Sequence, residues 1–154
     1  YAKNVLLERL FENAGEIKNL TDKGIRTMGD LFLEYAKIAN RIGIDRAQEG
    51  SEHFIAYNAE YVTRRTYVHG ALLSMGIYII GAYFYDCREE IDTLLDDMGQ
   101  NHTLESFGLN EEETEITLKT LTDFVKKGGY YHSIVHDVSL DEKEIWAIIR
   151  DIRK

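Results

Sequence analysis

Proline is absent from this sequence, and cysteine occurs once, as Cys87. Globular proteins use proline for about 5% of their residues. Segments of alternating Val, Ile and Thr bounded by turn residues, which would indicate strands, are missing as well. These absences predict an all-α fold, a multi-helix bundle. A single cysteine also excludes an internal disulfide and a cysteine-rich metal cluster, so the sequence fits a reducing compartment, and we expect a cytoplasmic protein.

Positive charge and long apolar runs are scarce too. The chain has 18 basic against 27 acidic residues, a net charge of -9, which is the wrong sign for a surface that neutralises phosphates. Its most apolar run, residues 71–84, is interrupted by Ser74 and falls short of the roughly 20 residues that cross a bilayer. We therefore expect neither a nucleic acid nor a membrane as partner.

A length of 154 residues predicts one helical domain over 1–154. The first residue is Tyr1 rather than Met, and residues 1–19 have the pattern of a charged amphipathic helix instead of a secretory signal. We expect that this chain begins inside a longer one.

Apolar spacing and glycines predict six to eight helices. An initial helical pattern over residues 5–17 bends near Gly15, and Thr21 caps a long helix that ends at Gly43. Ser51 is expected to cap a helix that opens with Glu52 and His53. His69 opens an apolar helix in which Gly76 and Gly81 allow close backbone approach. Three further helices are predicted, over residues 89–98, 110–126 and 140–152.

His53 and His69 are the candidate metal ligands. They lie sixteen positions apart, each in the first turn of its predicted helix, and neutral imidazole is the commonest metal ligand in proteins. Gly50 and Gly70 beside them permit close backbone approach, and Glu52 could orient a ligand imidazole. Two imidazoles leave a catalytic metal under-coordinated, and no Glu or Asp of the chain has the spacing of an obvious third ligand.

The other three histidines are predicted to be structural or surface residues. His102 falls in a polar loop between two glycines. His132 and His136 follow a glycine pair in what reads as an extended segment, where residues four apart lie well separated along the strand.

The segment from Gly50 to His53, followed sixteen residues later by His69-Gly70 and an apolar helix, resembles the metal-binding part of the dehydroquinate synthase-like superfamily. This superfamily includes glycerol dehydrogenases, iron-containing alcohol dehydrogenases and sn-glycerol-1-phosphate dehydrogenases. The last branch is the most similar, and Arg46 matches an arginine of its pattern. The resemblance also takes in residues 129–136 and covers essentially the whole chain, but only the C-terminal half of a family member.

The resemblance implies the C-terminal half of a metal-dependent, NAD- or NADP-linked polyol or polyol-phosphate dehydrogenase. His53 and His69 would ligate a divalent metal (Zn, Ni or Fe) at an interdomain site, with Arg46 and Glu52 contacting substrate or supporting the site. The third ligand and the nucleotide-binding domain would lie upstream of Tyr1, so the isolated chain would have little or no activity. A homo-oligomer is a further expectation.

Three positions depart from the family pattern. Tyr57 stands where the family usually has a second histidine, and we predict that its hydroxyl serves in proton transfer or substrate contact. Ala71 replaces a glutamate and Ala47 a proline. None of these changes removes a metal ligand, and altered substrate specificity is expected.

Two alternatives remain open at this stage. One is a metal-free helical interaction or regulatory module, in which the rings of His53 and His69 would occupy separate environments. The other is a lyase or cyclase of the synthase branch, which the tyrosine at position 57 disfavours.

Overall fold

The computed structural model describes residues 6–44 and 49–152. Over these ranges the chain forms nine α-helices and no strand, which confirms the predicted all-α fold. No helix within them combines the length and apolar character needed to cross a membrane. The helices are α1 (Glu8–Glu12), α2 (Ala14–Lys18), α3 (Asp22–Ile42), α4 (Ser51–Thr63), α5 (His69–Phe84), α6 (Arg88–Asp97), α7 (Leu104–Phe107), α8 (Glu111–Gly128) and α9 (Glu142–Ile152).

The chain divides into two compact units. Among the described residues, the first unit takes in 6–44 and 92–100, and the second takes in 49–91 and 101–152. In the first unit, Thr21 begins α3 as predicted, because its hydroxyl accepts a hydrogen bond from the Gly24 amide at 3.0 Å. Gly43 ends the helix in the left-handed conformation, with φ +74°.

The second unit is built on the packing of α4 against α5. Gly76 of α5 faces the backbone of Glu52, and a Cβ at position 76 would meet the Glu52 carbonyl oxygen at 2.5 Å and its Cα at 2.8 Å. The predicted close approach at this glycine is confirmed. Since only glycine fits there, Gly76 sets how near the two helices lie at the first turn of α4.

Helices α8 and α9 complete the second unit. The start of α8 has a capping box, in which Asn110 accepts from the Glu113 amide at 2.8 Å and Glu113 accepts from the Asn110 amide at 3.0 Å. Asp151 of α9 accepts hydrogen bonds at its Oδ2 from the hydroxyls of Tyr78 (3.1 Å) and Tyr83 (2.6 Å), and also from Arg88. These bonds tie α9 to α5 and to the start of α6.

Some local predictions were wrong. The first helical pattern breaks at Asn13 rather than at Gly15, and the N-cap of α4 is Gly50, with Ser51 already helical. Gly81 faces the side chain of Ile91 and not a neighbouring backbone. The segment between Gly99 and Gly108 was predicted to be a loop, but part of it forms the short helix α7. This helix is stabilised by a capping box between Thr103 and Ser106.

Candidate functional site

His53 and His69 lie side by side where α4 and α5 begin. Their ring centroids are 5.4 Å apart, with an angle of 57° between the ring planes. His53 is 5% exposed, whereas His69 is exposed to solvent. The two imidazoles come from different helices and share one environment because Gly76 lets the helices approach closely.

Glu52 holds the ring of His53 in place. Its Oε1 lies 3.0 Å from His53 Nδ1 and also accepts a hydrogen bond from the Gly50 amide at 2.9 Å. A carboxylate only accepts hydrogen bonds, so Nδ1 carries a proton and donates it, and in the neutral imidazole Nε2 then has the lone pair. Carboxylate–histidine pairs of this kind set the orientation of metal-ligating imidazoles.

Gly50 leaves the room that this carboxylate needs. A Cβ at position 50 would lie 2.5 Å from Glu52 Oε2, so a larger residue would push the carboxylate away from its present position. The Gly50-Ser51-Glu52-His53 segment therefore acts as one local unit, in which the N-cap residue, the carboxylate and the imidazole are joined by hydrogen bonds.

Tyr57 lies one helical turn after His53, with its ring centroid 5.8 Å from the His53 ring. On its other side it stacks with Tyr130, at 6.2 Å and an angle of 25°. Burial raises the pKa of Tyr57, and the charges of Glu49, Tyr130, Glu52 and Glu60 add to the effect in that order. The phenol therefore keeps its proton at neutral pH and can donate a hydrogen bond.

Four of the five residues predicted for the site lie together: Glu52, His53, Tyr57 and His69. We call these four the histidine site. Arg46 lies outside the described residues, as does Ala47. Ala71, which follows His69-Gly70, is partly exposed in the first turn of α5.

The segment around His136 is the part of this region that sequence reasoning misjudged. It was predicted to be extended, with His132 and His136 well separated, but their ring centroids are 5.3 Å apart. The reason is a turn of 3-10 helix over Ile134–His136, which begins at Ser133, whose amide donates to His136 Nδ1 at 3.1 Å.

The segment after α8 places Tyr130 and His136 against α4. The ring of Phe54 lies 4.9 Å from Tyr130 and 6.1 Å from His136, so a cluster of rings extends from Tyr57 along this part of α4. Sequence spacing could not find them, since the contact joins residues more than 75 positions apart. The two glycines at 128 and 129, which end α8, were the available signal for a chain reversal.

A complete metal site is not formed by the described part of the chain. Within it, no group of three or more His, Cys, Asp or Glu residues is arranged to hold a metal ion. His53 and His69 lie beside each other, 5.4 Å between ring centroids, whereas a catalytic zinc-type centre takes three protein ligands. These two imidazoles by themselves therefore fall short of such a centre.

Comparison with known proteins assigns no family to this chain. No protein-family model matches it, and no curated protein does. The resemblance to dehydroquinate synthase-like proteins accordingly depends on the motifs around His53 and His69 and on residues 129–136 alone.

Proposed function

We propose that this chain is the C-terminal helical domain of a metal-dependent, NAD(P)-linked polyol or polyol-phosphate dehydrogenase. His53 and His69 would supply two ligands to a divalent ion (Zn, Ni or Fe) at an interdomain site. The remaining ligand and most of the contacts to NAD or NADP would come from an upstream nucleotide-binding domain. The protein would act in the cytoplasm on a small polyol or its phosphate.

The observation that carries the proposal is the pairing of the two imidazoles, 5.4 Å between centroids, with one of them oriented by Glu52. His132 and His136 also lie close together, 5.3 Å between centroids, but the pair at the start of α4 and α5 differs in including a buried imidazole, that of His53. The metal-free alternative predicts separate environments for the rings, so their proximity supports the metal-binding hypothesis over it.

In such an enzyme His53 and His69 would hold the metal ion, which would supply Lewis-acid chemistry at a substrate hydroxyl, and the nicotinamide cofactor would supply the redox chemistry. Glu52 holds the His53 Nδ1 proton and so keeps the Nε2 lone pair available. Tyr57, whose pKa is raised by burial, remains a phenol and donates a hydrogen bond to a substrate oxygen. It would be a poor general base, so we assign it to substrate contact or proton donation.

The product of the complete coding sequence should be assayed for NAD- and NADP-linked oxidation of glycerol, glycerol 1-phosphate and related polyols. We expect the wild-type protein to be active. His53→Ala and His69→Ala should each reduce the activity by about 100-fold or more, because loss of a ligand releases the metal. His102→Ala, whose ring packs on Tyr78 at 5.2 Å, is the matched control and should stay active. Full activity of His53→Ala would refute the proposal.

A second candidate, a helical interaction module, is favoured by one observation on the first unit. Ile25, Phe32 and Leu33 of α3 are 57%, 58% and 63% exposed, and exposed apolar side chains grouped on one helix indicate an association surface. Under this hypothesis the partner is a second copy of the chain. Sedimentation should then show a concentration-dependent dimer that Phe32→Glu abolishes and Ile116→Glu, on α8, does not. A monomer at every concentration would exclude it.

A further inference from the structure

A cavity of about 400 Å³ lies between α4 and α8 in the second unit. This volume is within the range of about 300 to 1,000 Å³ found for small-molecule sites. Within the described residues, the lining shares no member with the histidine site. The lining residues are Asn58, Tyr61, Val62, Thr120, Asp123, Phe124, Lys127 and Gly128.

Asn58 supplies a buried hydrogen-bond acceptor at this cavity. The residue is 0% exposed, and its Nδ2 donates to the Thr117 carbonyl at 2.6 Å and to Thr120 Oγ1 at 2.9 Å. Both amide hydrogens are thereby used, which fixes the orientation of the side chain. No donor from the described residues reaches its Oδ1. A buried acceptor left unsatisfied is unfavourable, so a ligand that donates to it gains affinity.

The rest of the lining defines the shape and charge of such a ligand. The rings of Tyr61 and Phe124 are 5.4 Å apart at an angle of 42°, and Tyr61 is 53% exposed, so the two rings form an angled aromatic wall. The Arg64 guanidinium lies 4.6 Å from the Tyr61 ring centroid and covers one face of that ring. Asp123 and Lys127 at the rim are 3.7 Å apart and strongly exposed. Because their charges offset each other, the cavity offers no net charge to anchor an ion.

We propose that this cavity binds a neutral, planar aromatic ligand that carries an N–H group. The N–H donates to Asn58 Oδ1, and the ring packs against Tyr61 and Phe124. Binding requires the lining to open at Asn58, because its Oδ1 is buried in this structure and must become accessible to the ligand. The proposal concerns a site separate from the histidine site, and it stands whether or not the dehydrogenase proposal does.

The test compares indole, 3-methylindole and 1-methylindole by amide NMR titration of the whole chain. The two methylindoles have the same size, but only 3-methylindole keeps the N–H group. We expect indole and 3-methylindole to shift amides in residues 58–62 and 120–128, with 1-methylindole binding about tenfold or more weakly because it leaves the acceptor unpaired.

A second comparison separates the cavity from nonspecific apolar binding. Val62→Phe, on α4, places a larger side chain in the cavity and should abolish the shifts. Ile116→Phe, on α8 but outside the lining, should leave them unchanged. Circular dichroism verifies that both variants are folded. Equal binding of the two methylindoles, persistence of binding in Val62→Phe, or no binding of indole would each overturn the proposal, the last meaning that only water occupies the cavity.

Discussion

At the residue scale, the side chain of Glu52 joins the loop before α4 to the imidazole of His53. One oxygen, Oε1, accepts from both the Gly50 amide and His53 Nδ1. Because a carboxylate has no proton to donate, this contact selects the tautomer with the proton on Nδ1. The histidine whose ring is held in this way is 5% exposed.

Replacing Glu52 should therefore change the tautomer of His53. In the wild-type chain, long-range proton–nitrogen NMR spectra should show the Nδ1–H form, and Glu52→Ala should shift the population toward Nε2–H. Glu115→Ala, on α8, is the matched control and should have no effect. An unchanged His53 tautomer in Glu52→Ala would show that the carboxylate does not orient the ring.

The ionisation of Tyr57 makes the free energy of unfolding depend on pH. Its pKa in the folded chain lies above the ordinary value of 10.0, chiefly through burial. As the pH rises, the unfolded chain loses this proton first. The contribution of Tyr57 is therefore complete below about pH 10, and the free energy of unfolding falls as the pH climbs from there toward the folded-state pKa.

We expect Tyr57→Phe to lose less stability than the wild type as the pH rises above about 10, because the substituted ring cannot ionise. Urea unfolding at a series of pH values measures this directly. The other tyrosines are common to both proteins and cancel in the difference. Parallel curves for the two proteins would contradict the assignment.

At the element scale, the packing of α4 on α5 brings the two histidines together, and Gly76 is the contact that permits it. Gly76→Ala would place a methyl group 2.5 Å from the Glu52 carbonyl oxygen. Backbone cannot yield as a flexible side chain can, so we expect a loss of about 1–3 kcal/mol in the free energy of unfolding. Urea denaturation provides the measurement.

Gly70→Ala is the control for that variant. A Cβ at position 70 would have no heavy atom within 4 Å, although the residue lies in the same helix. The better helix propensity of alanine should leave the protein as stable or slightly more stable, by up to about 1 kcal/mol. If Gly76→Ala were as stable as Gly70→Ala, this result would contradict the close approach of α4 and α5 at Gly76.

The hydroxyls of Tyr78 and Tyr83, together with Arg88, converge on Asp151 and fasten α9. Asp151→Ala removes the acceptor from all three donors, and we expect a cost of about 1–3 kcal/mol because the carboxylate is partly buried. Asp123→Ala breaks an exposed ion pair and should cost less than about 0.5 kcal/mol. Thermal unfolding of the two variants compares them, and equal melting temperatures would contradict the role of Asp151.

Local signals accounted for most helix boundaries. The side chain of Thr21 accepts a hydrogen bond from a backbone amide in the first turn of α3, and Gly43 adopts the left-handed conformation that ends the helix. Both ends of α3 were therefore predicted correctly. Ser51 failed as a cap because Gly50 takes that position, with its own amide bonded to Glu52. Which of two adjacent residues becomes the N-cap depends on side-chain geometry, and the spacing of residues in the sequence does not contain that information.

At the scale of the whole molecule, the four residues of the histidine site were all identified from the sequence, whereas their aromatic neighbours after α8 were not. The neighbours of His53 within α4 follow from helical periodicity, and the glycine in α5 indicated a close helix contact. The return of Tyr130 and His136 to α4 depends on where the chain travels after α8, a tertiary property. A short turn of 3-10 helix, rather than the expected extended segment, determines that path.

The number of available metal ligands also limits what the chain can do alone. With two imidazoles and no third ligand arranged among the described residues, metal affinity should be modest. We therefore predict little dehydrogenase activity from this chain in isolation. Nanomolar zinc or nickel affinity that is lost in His53→Ala would show instead that the chain supplies a complete site.

The most direct test of the central claim is a zinc titration of the chain followed by imidazole NMR. If His53 and His69 ligate one ion, their resonances should shift together with a single dissociation constant in the micromolar range or weaker. Replacing either histidine with alanine should abolish the shift at the other, while His132→Ala should not affect it. If one of the two histidines still bound zinc with unchanged affinity after the other was replaced, the shared site would be contradicted.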